Sequence, residues 1–284
     1  MKLGDVLDSL AKELAGEGVP PARADARDLI AAVMGRPRFW PSAYPSLELD
    51  DSAVGAIRGA ADRLERGMPF QYAVGKAAFR HLTLRVDPRV LIPRPETELL
   101  IDLTLALAGA GGAVADIGTG SGAIALALAS EGRFDRVIAT DVSEDALAVA
   151  RANLDVIPPE RRAMVEFRVG DLLAPVRGES LRAVVSNPPY ISKAEKGDLP
   201  AGVRDWEPHL ALFSDDDGMA AIHAILRDAP LVLEGGGVLV LEIDSGRAAI
   251  ARDRAATDAR WRDVDLRTDL TGRDRFLVAR RQER

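Results

Sequence analysis

Residues 186–191, Ser-Asn-Pro-Pro-Tyr-Ile, follow the apolar run Leu-Arg-Ala-Val-Val and stand at the end of a buried strand. Two consecutive prolines stop a β-ladder, because proline has no N–H to donate and its φ is fixed at about −65°. What the turn offers instead is acceptors: the side-chain oxygen of Asn187 and the carbonyl of Pro188, held rigid by Pro189, with the Tyr190 ring beside them. A group bound there should be a hydrogen-bond donor.

A second constellation is Asp116-Ile-Gly118-Thr119-Gly120-Ser121-Gly122, between a strand-like run and an Ala/Leu-rich helical one. Glycines permit a sharp turn and the close approach of a ligand without Cβ interference, although a plain tight turn uses them too. The Gly-x-Gly-x-Gly spacing is tighter than that of dinucleotide sites and counts against NAD. About twenty residues further on, Asp141 ends the next strand, where a carboxylate can accept both ribose hydroxyls of an adenosine. Ser143 reads as the N-cap of the following helix, with Glu144 and Asp145 in its first turn. Gly170-Asp171-Leu172 ends a third strand; Asp171 can accept from an adenine amino group or be a solvated loop acid.

These residues need strands that all end on one side. From residue 70 onward, apolar runs at 113–118, 136–141, 165–171, 181–186, 237–243 and 275–281 alternate with helical patterns. That alternation predicts βαβ units and a doubly wound, mostly parallel sheet, whose ligands bind at the carboxyl ends of the strands. Residues 79–95 alternate like a hairpin, with Leu82, Leu84 and Val86 on one side and the turn at Asp87-Pro88. Residues 1–67 are helical instead. Leu3, Val6, Leu7, Leu10 and Leu14 share one face, and Ala22, Ala26, Leu29, Ile30 and Val33 another, behind Pro20 and Pro21. A third helix over 50–67 begins with acids and stops at Gly67. The Pro-rich stretch 35–49 carries Phe39, Trp40 and Tyr44, either a small satellite core or a docking surface.

Composition narrows the classes. The 284 residues are 47% hydrophobic and 29% charged, enough for two globular domains. There is no cysteine, which excludes disulfides, thiol nucleophiles and thiolate zinc sites and fits a reducing cytosol. The net charge of −7 counts against a protein that grips nucleic acid through phosphates. No run is apolar enough to span a membrane, and the first residues do not read as a signal peptide. His81, His209 and His223 are too scattered for a metal site. The acids of 214–218 read as a helix cap rather than a cation site.

The Gly-rich turn, Asp141 and Asn-Pro-Pro-Tyr together resemble class I methyltransferases that use S-adenosylmethionine. The tetrapeptide is similar to that of enzymes methylating planar amide or amine nitrogens. Val-Leu-Ile-Pro-Arg-Pro-Glu-Thr-Glu at 90–98 resembles a block of the release factor glutamine methyltransferase family (HemK/PrmC). Further matches are Pro-Phe-Gln-Tyr-Ala-Val-Gly at 69–75, Trp-Glu-Pro-His-Leu-Ala-Leu at 206–212 and Asp-Leu-Thr-Gly-Arg-Asp-Arg at 269–275. This resemblance covers nearly all of the chain. It implies an α/β Rossmann-like methyltransferase sheet with a final antiparallel strand at 275–281, and a small N-terminal helical bundle joined by a β-hairpin. The expected domains are 1–67 for substrate recognition, 68–95 as linker with the hairpin, and 96–284 for methyl transfer.

The same resemblance implies a cytoplasmic monomer acting on class I peptide chain release factors, with no nucleic acid or membrane partner. The methyl group would go to the Gly-Gly-Gln glutamine, giving N5-methylglutamine and S-adenosylhomocysteine. Asn187, Pro188 and Tyr190 would be catalytic, and Asn187, Pro188, Pro189 and Tyr190 would hold the substrate. Gly118, Thr119, Gly120, Ser121, Gly122, Asp141, Asp171, Leu172 and Asn187 would hold the cofactor, and no metal is implied. Arg94, Glu96 and Glu98 could line that pocket, but an ion-pair network anchoring the hairpin is the favoured reading. The chain departs from the family at Leu172, where an aromatic is common, and at Asp244, Ser245 and Arg247, where a glycine and a glutamine are usual. Two alternatives are an adenine-N6 methyltransferase and a non-catalytic cofactor-binding scaffold.

Overall fold

The computed structural model describes residues 1–15 and 23–283. They divide into two compact units, Met1–Lys76 with Pro200–Trp206, and Ala77–Leu199 with Glu207–Arg284.

In the first unit the apolar stripes do what their period requires. Helices Leu3–Ala15, Arg23–Met34 and Asp51–Glu65 bury Leu7, Leu10, Leu29, Ile30 and Ile57 in a shared core, with Leu14 and Val33 partly buried against it. Pro20, Pro21 and Ala22 lie outside the described residues. The Asp50 carboxylate caps the third helix, accepting from Ala53 N at 2.7 Å. Gly67 (φ +83°) takes the left-handed turn that follows that helix. The unit runs past the expected limit at 67, because a further helix, Phe70–Val74, buries Tyr72 and Ala73. The Arg63 guanidinium also fixes that helix through the Ala73 carbonyl, at 2.8 and 3.1 Å. The aromatic trio of the Pro-rich stretch divides. Trp40, in a short helix Trp40–Ala43, packs partly on the helical core. Phe39 and Tyr44 are 65% and 57% exposed.

The second unit starts at Ala77, within a hairpin of β1 (Lys76–Phe79) and β2 (Leu82–Arg85). Its turn is Arg80-His81, with Arg80 at φ +51°, and not Asp87-Pro88 as expected. Asp87 instead accepts from Arg89 N at 3.1 Å in a separate turn after the hairpin. Phe79, Leu82 and Leu84 are buried in the main core of the unit, so the hairpin is part of that core.

The sheet has seven strands: β3 (Ala113–Ile117), β4 (Arg136–Asp141), β5 (Val165–Val169), β6 (Leu181–Ser186), β7 (Leu233–Glu242), β8 (Trp261–Thr268) and β9 (Asp274–Arg281). Their order is β5-β4-β3-β6-β7-β9-β8. Strands β3 to β7 pair in parallel, whereas β9 runs antiparallel to both β7 and β8. All of β3 is buried, as a central strand covered on both faces must be. Strand order reverses between β3 and β6, which opens a crevice at their carboxyl ends. The edge strand β8 escapes a hydropathy reading because Arg262, Asp263, Asp265 and Arg267 fill half of it; charge on an edge blocks further pairing.

Because Phe79 is fully buried in this core, Phe79→Ala should cost about 3–5 kcal/mol. Phe39→Ala should cost less than about 0.5 kcal/mol. Chemical denaturation of both variants checks the contrast; equal losses would mean that the hairpin is not a core element.

Candidate active site

The turn after β3 is shaped by glycine on two counts. Gly118 (φ +75°) and Gly120 (φ +53°) are left-handed, and a Cβ built on either meets no heavy atom within 4 Å. The space before them is open, a cradle that side chains would fill. Two carboxylates hold this turn. Asp116 is fully buried at the end of β3, and its Oδ2 accepts from Thr119 Oγ1 (2.6 Å) and Ala125 N (3.0 Å). Asp141 accepts from Gly120 N and Ser143 N, both at 2.9 Å. A carboxylate has about four acceptor positions, so Asp141 keeps capacity for a ligand. Desolvation raises the Asp141 carboxyl above its usual value and pushes that of Asp116 up to about 7.

Beside the turn is a cavity of about 480 Å³, lined by Gly118, Gly120, Asp141, Asp171, Leu172, Asn187 and Pro189 among others. That volume suits a small organic ligand. Thr119 and Ser121, expected to face the cofactor, are buried and do not line it. The Thr119 hydroxyl is spent on Asp116, and the Ser121 carbonyl accepts from Asn153 Nδ2 at 2.9 Å. Gly122 is also behind the wall, where a Cβ would press on Leu126 and Ala150 at 3.2 and 3.3 Å. Pro188 is buried and Tyr190 is half-buried against the apolar core; neither is among the lining residues. Ser143 does cap its helix, accepting from Ala146 N at 3.2 Å.

Other walls had no chemical signature in the sequence. Val142 lines the cavity while 49% exposed, and Leu210, in the short helix His209–Leu212, and Phe213 just after it line it from the segment between β6 and β7. Leu172 holds φ +42°, a left-handed strain of about 1–2 kcal/mol for a side chain with a Cβ.

Asn187 leaves β6 with its Nδ2 donating to Thr97 Oγ1 at 3.2 Å, and Thr97 Oγ1 donates to Glu242 Oε2 at 2.7 Å. Burial raises the Glu242 carboxyl to about 7 and, with Glu242 nearby, the Tyr190 hydroxyl to about 12. The chain after Tyr190 is pinned. Gly218 (φ +87°) approaches so closely that a Cβ there would lie 2.2 Å from the Tyr190 carbonyl oxygen. The Arg247 guanidinium joins Glu195 (2.6 Å), Asp244 (3.2 Å) and the Asp217 carbonyl (2.7 Å). Asp244 also caps the helix Ser245–Ala256 through Gly246 N. The unusual residues at 244 and 247 therefore form a structural cluster.

Arg94 pairs with buried Glu207 at 2.5 Å, and Glu98 accepts from Arg80 N at 2.8 Å in the hairpin turn. Arg80 also reaches Glu131 and Asp102. Arg94, Glu96 and Glu98 are not lining residues of the cavity. Among the described residues no group of three or more His, Cys, Asp and Glu could hold a metal, and no helix is long and apolar enough to cross a membrane. Ahead of the helix Ala220–Asp228 the cap differs from expectation. Ser214 Oγ accepts from Ala221 N, while Asp216 pairs with His223. Asp216 and Asp217 are both left-handed, and the three acids of this turn are exposed.

A Rossmann-like sheet with an open glycine cradle and a donor-seeking turn after its fourth parallel strand in space defines a methyltransferase. The Methyltransferase small domain family matches residues 95–200, and the PrmC N-terminal domain matches residues 5–75. A release factor glutamine methyltransferase from Moorella thermoacetica is 41% identical over 100% of both chains. One from Streptomyces coelicolor is 37% identical over 95% of each. The chain belongs to the release factor glutamine methyltransferase family. A methyltransferase from Pyrococcus furiosus shares the fold, with a TM-score of 0.54, 19% identity, and coverage of 73% of this chain and 92% of that one.

The two raised carboxyls give a pH dependence of stability. Asp116 and Glu242 have ordinary values of 3.8 and 4.5 and folded values of about 7, raised chiefly by desolvation. The folded chain thus binds these protons more tightly than the unfolded one. Their contribution is full below the ordinary values and is lost as pH rises through about 7. In Asp116→Asn the fall of Tm from about pH 5 to about pH 8 should be shallower than in wild type. Parallel Tm profiles would show that Asp116 does not titrate there.

Proposed function

We propose that this protein transfers the methyl group of S-adenosylmethionine to the side-chain amide nitrogen of the glutamine in the Gly-Gly-Gln motif of class I release factors. One observation carries the reading: Asn187 and Pro189 border the same cavity as the open glycine cradle and Asp141. An adenosine fits these residues. Asp141 has acceptor capacity for ribose hydroxyls, Asp171 for an adenine amino group, and Val142 and Leu172 provide apolar walls. The bound cofactor supplies an electrophilic methyl group on a sulfonium.

The chain supplies the rest. A glutamine amide nitrogen is a poor nucleophile because its lone pair is delocalised into the carbonyl. The Asn187 Oδ1 and Pro188 carbonyl each accept one amide hydrogen, which orients the nitrogen and favours its pyramidalisation. Positive charge developing on that nitrogen lies against fixed dipoles, the preorganised stabilisation that lowers such barriers. Pro188 and Pro189 fix the turn before substrate arrives, and the Tyr190 ring packs on the flat amide. The proton leaves to water after methyl transfer, so no general base is required.

Methyl transfer should therefore be found with a class I release factor and not with a duplex oligonucleotide or with no acceptor. Asn187→Ala should lower the single-turnover rate by about 10²–10³ while cofactor affinity changes far less. Wild-type single-turnover rates in this variant, or preferred transfer to the oligonucleotide, would overturn the proposal.

The helical unit, expected as residues 1–67 with 68–95 as linker, is read as the recognition domain, and 96–284 as the transferase. One glutamine is chemically like another, so selection of a single loop needs contacts beyond the cavity. Phe39 and Tyr44, aromatic and more than half exposed, are the residue types enriched at binding hot spots. Trp40 is a poorer probe because it packs on the helical core. Phe39→Ala should lower kcat/KM on the whole release factor by about tenfold or more and leave a short Gly-Gly-Gln peptide unaffected. Equal effects on both substrates would remove this surface from recognition.

A further inference from the structure

Three residues far apart in the chain form one line of hydrogen bonds behind the turn after β6. Asn187 Nδ2 donates to Thr97 Oγ1 at 3.2 Å, and the Thr97 hydroxyl donates to Glu242 Oε2 at 2.7 Å. Thr97 and Glu242 are 5% and 2% exposed, so water does not compete freely for either bond. A hydroxyl has a single proton. Once Thr97 gives it to Glu242, Thr97 can meet Asn187 only as an acceptor. Asn187 must then turn its NH₂ inward and its oxygen toward the cavity. The opposite flip would set two acceptors face to face in a buried place, leaving both unsatisfied.

We infer that Thr97 and Glu242 are positioning residues for methyl transfer, fixing the Asn187 amide in the flip that presents Oδ1 to the reacting nitrogen. The inference rests on the functional reading above. An ionised Glu242 can only accept, and that fixes the direction of the line. The charges of Arg275 and Arg94 favour ionisation of this carboxyl, whereas that of Glu96 opposes it; the Tyr190 hydroxyl is within the field of Glu242 and of Asp244. Burial outweighs these and brings titration to about 7. A protonated Glu242 has an O–H of its own and can donate through it to Thr97. In that state the Thr97 proton points at Asn187, whose oxygen swings inward, out of reach of the substrate. The rate should fall as pH drops through about 7.

Thr97→Val removes both bonds at nearly constant volume, and Thr97→Ser restores the hydroxyl. With release factor as substrate, Thr97→Val should lower the single-turnover rate by about 10-fold to 100-fold. Its cofactor affinity by calorimetry should stay within about threefold, and Thr97→Ser should recover most of the lost rate. Glu242→Gln should lower the plateau rate less than Thr97→Val does and abolish the acid limb of the pH profile. A wild-type rate in Thr97→Val, equal losses in the Val and Ser variants, or an acid limb that persists in Glu242→Gln would each overturn the inference. An active wild type with an unaffected Thr97→Val removes only this line of bonds. A wild type that fails to methylate the release factor removes the functional reading as well.

Discussion

The grip of two carboxylates on one glycine turn is the constraint on which the rest of the site depends. Asp116 stands in the middle of a parallel sheet, in register with Ala139 on one side and Val185 on the other. An ionisable group there is costly to desolvate. The Thr119 hydroxyl and the Ala125 amide, both converging on one oxygen, offset only part of that cost, since burial still raises this carboxyl to about 7. Those two bonds fix where the helix Ala123–Glu131 begins and which way it leaves the strand. Asp141 holds the far side of the same turn through Gly120 N. With the turn held from behind and from the neighbouring strand, its front stays bare, and the cavity has a floor of backbone alone.

The wall opposite that floor is kept rigid by different means. Prolines fix Asn187 from the C-terminal side, and the Tyr190 carbonyl is met by Gly218, where no other residue fits. Leu172 holds a left-handed conformation at the cavity edge. Strain of this kind persists where surrounding structure over-determines the backbone, and binding sites are where it is found. The glycine floor and the proline wall come from strands adjacent in the sheet, β3 and β6, so their spacing is set by the ladder itself.

Much of this was legible from local pattern. Short apolar runs alternating with helical patterns located the parallel strands, which are covered on both faces, and period-3.6 spacing located the three main N-terminal helices, which bury one face. The cavity residues Gly118, Gly120, Asp141, Asp171, Leu172, Asn187 and Pro189 were legible too, because each closes a strand at the carboxyl edge. What was not legible had no local signal. Strand β8 hides behind its charges. Thr119 and Ser121 look like ligand contacts by composition, yet the alternation of the turn faces them into the protein. The hairpin turn at Arg80-His81 lacks the usual Gly, Asn or Asp, because Arg80 is held by Glu98, Glu131 and Asp102 rather than by backbone preference. Thr97 and Glu242 are separated by 145 residues, and no short-range pattern announces a contact that only the folded sheet creates.

Arg247 gathers Glu195, Asp244 and the Asp217 carbonyl around one planar cation. The two acids share a single positive charge, so neither the arginine nor its partners can be judged alone. Losing Arg247 would strand two carboxylates beside each other, and gaining it without them would leave a half-buried guanidinium unpaired. Substitutions at such a site are non-additive. Residues 195, 244 and 247 therefore act as one unit, and the effect of a change at any of them is set by the other two.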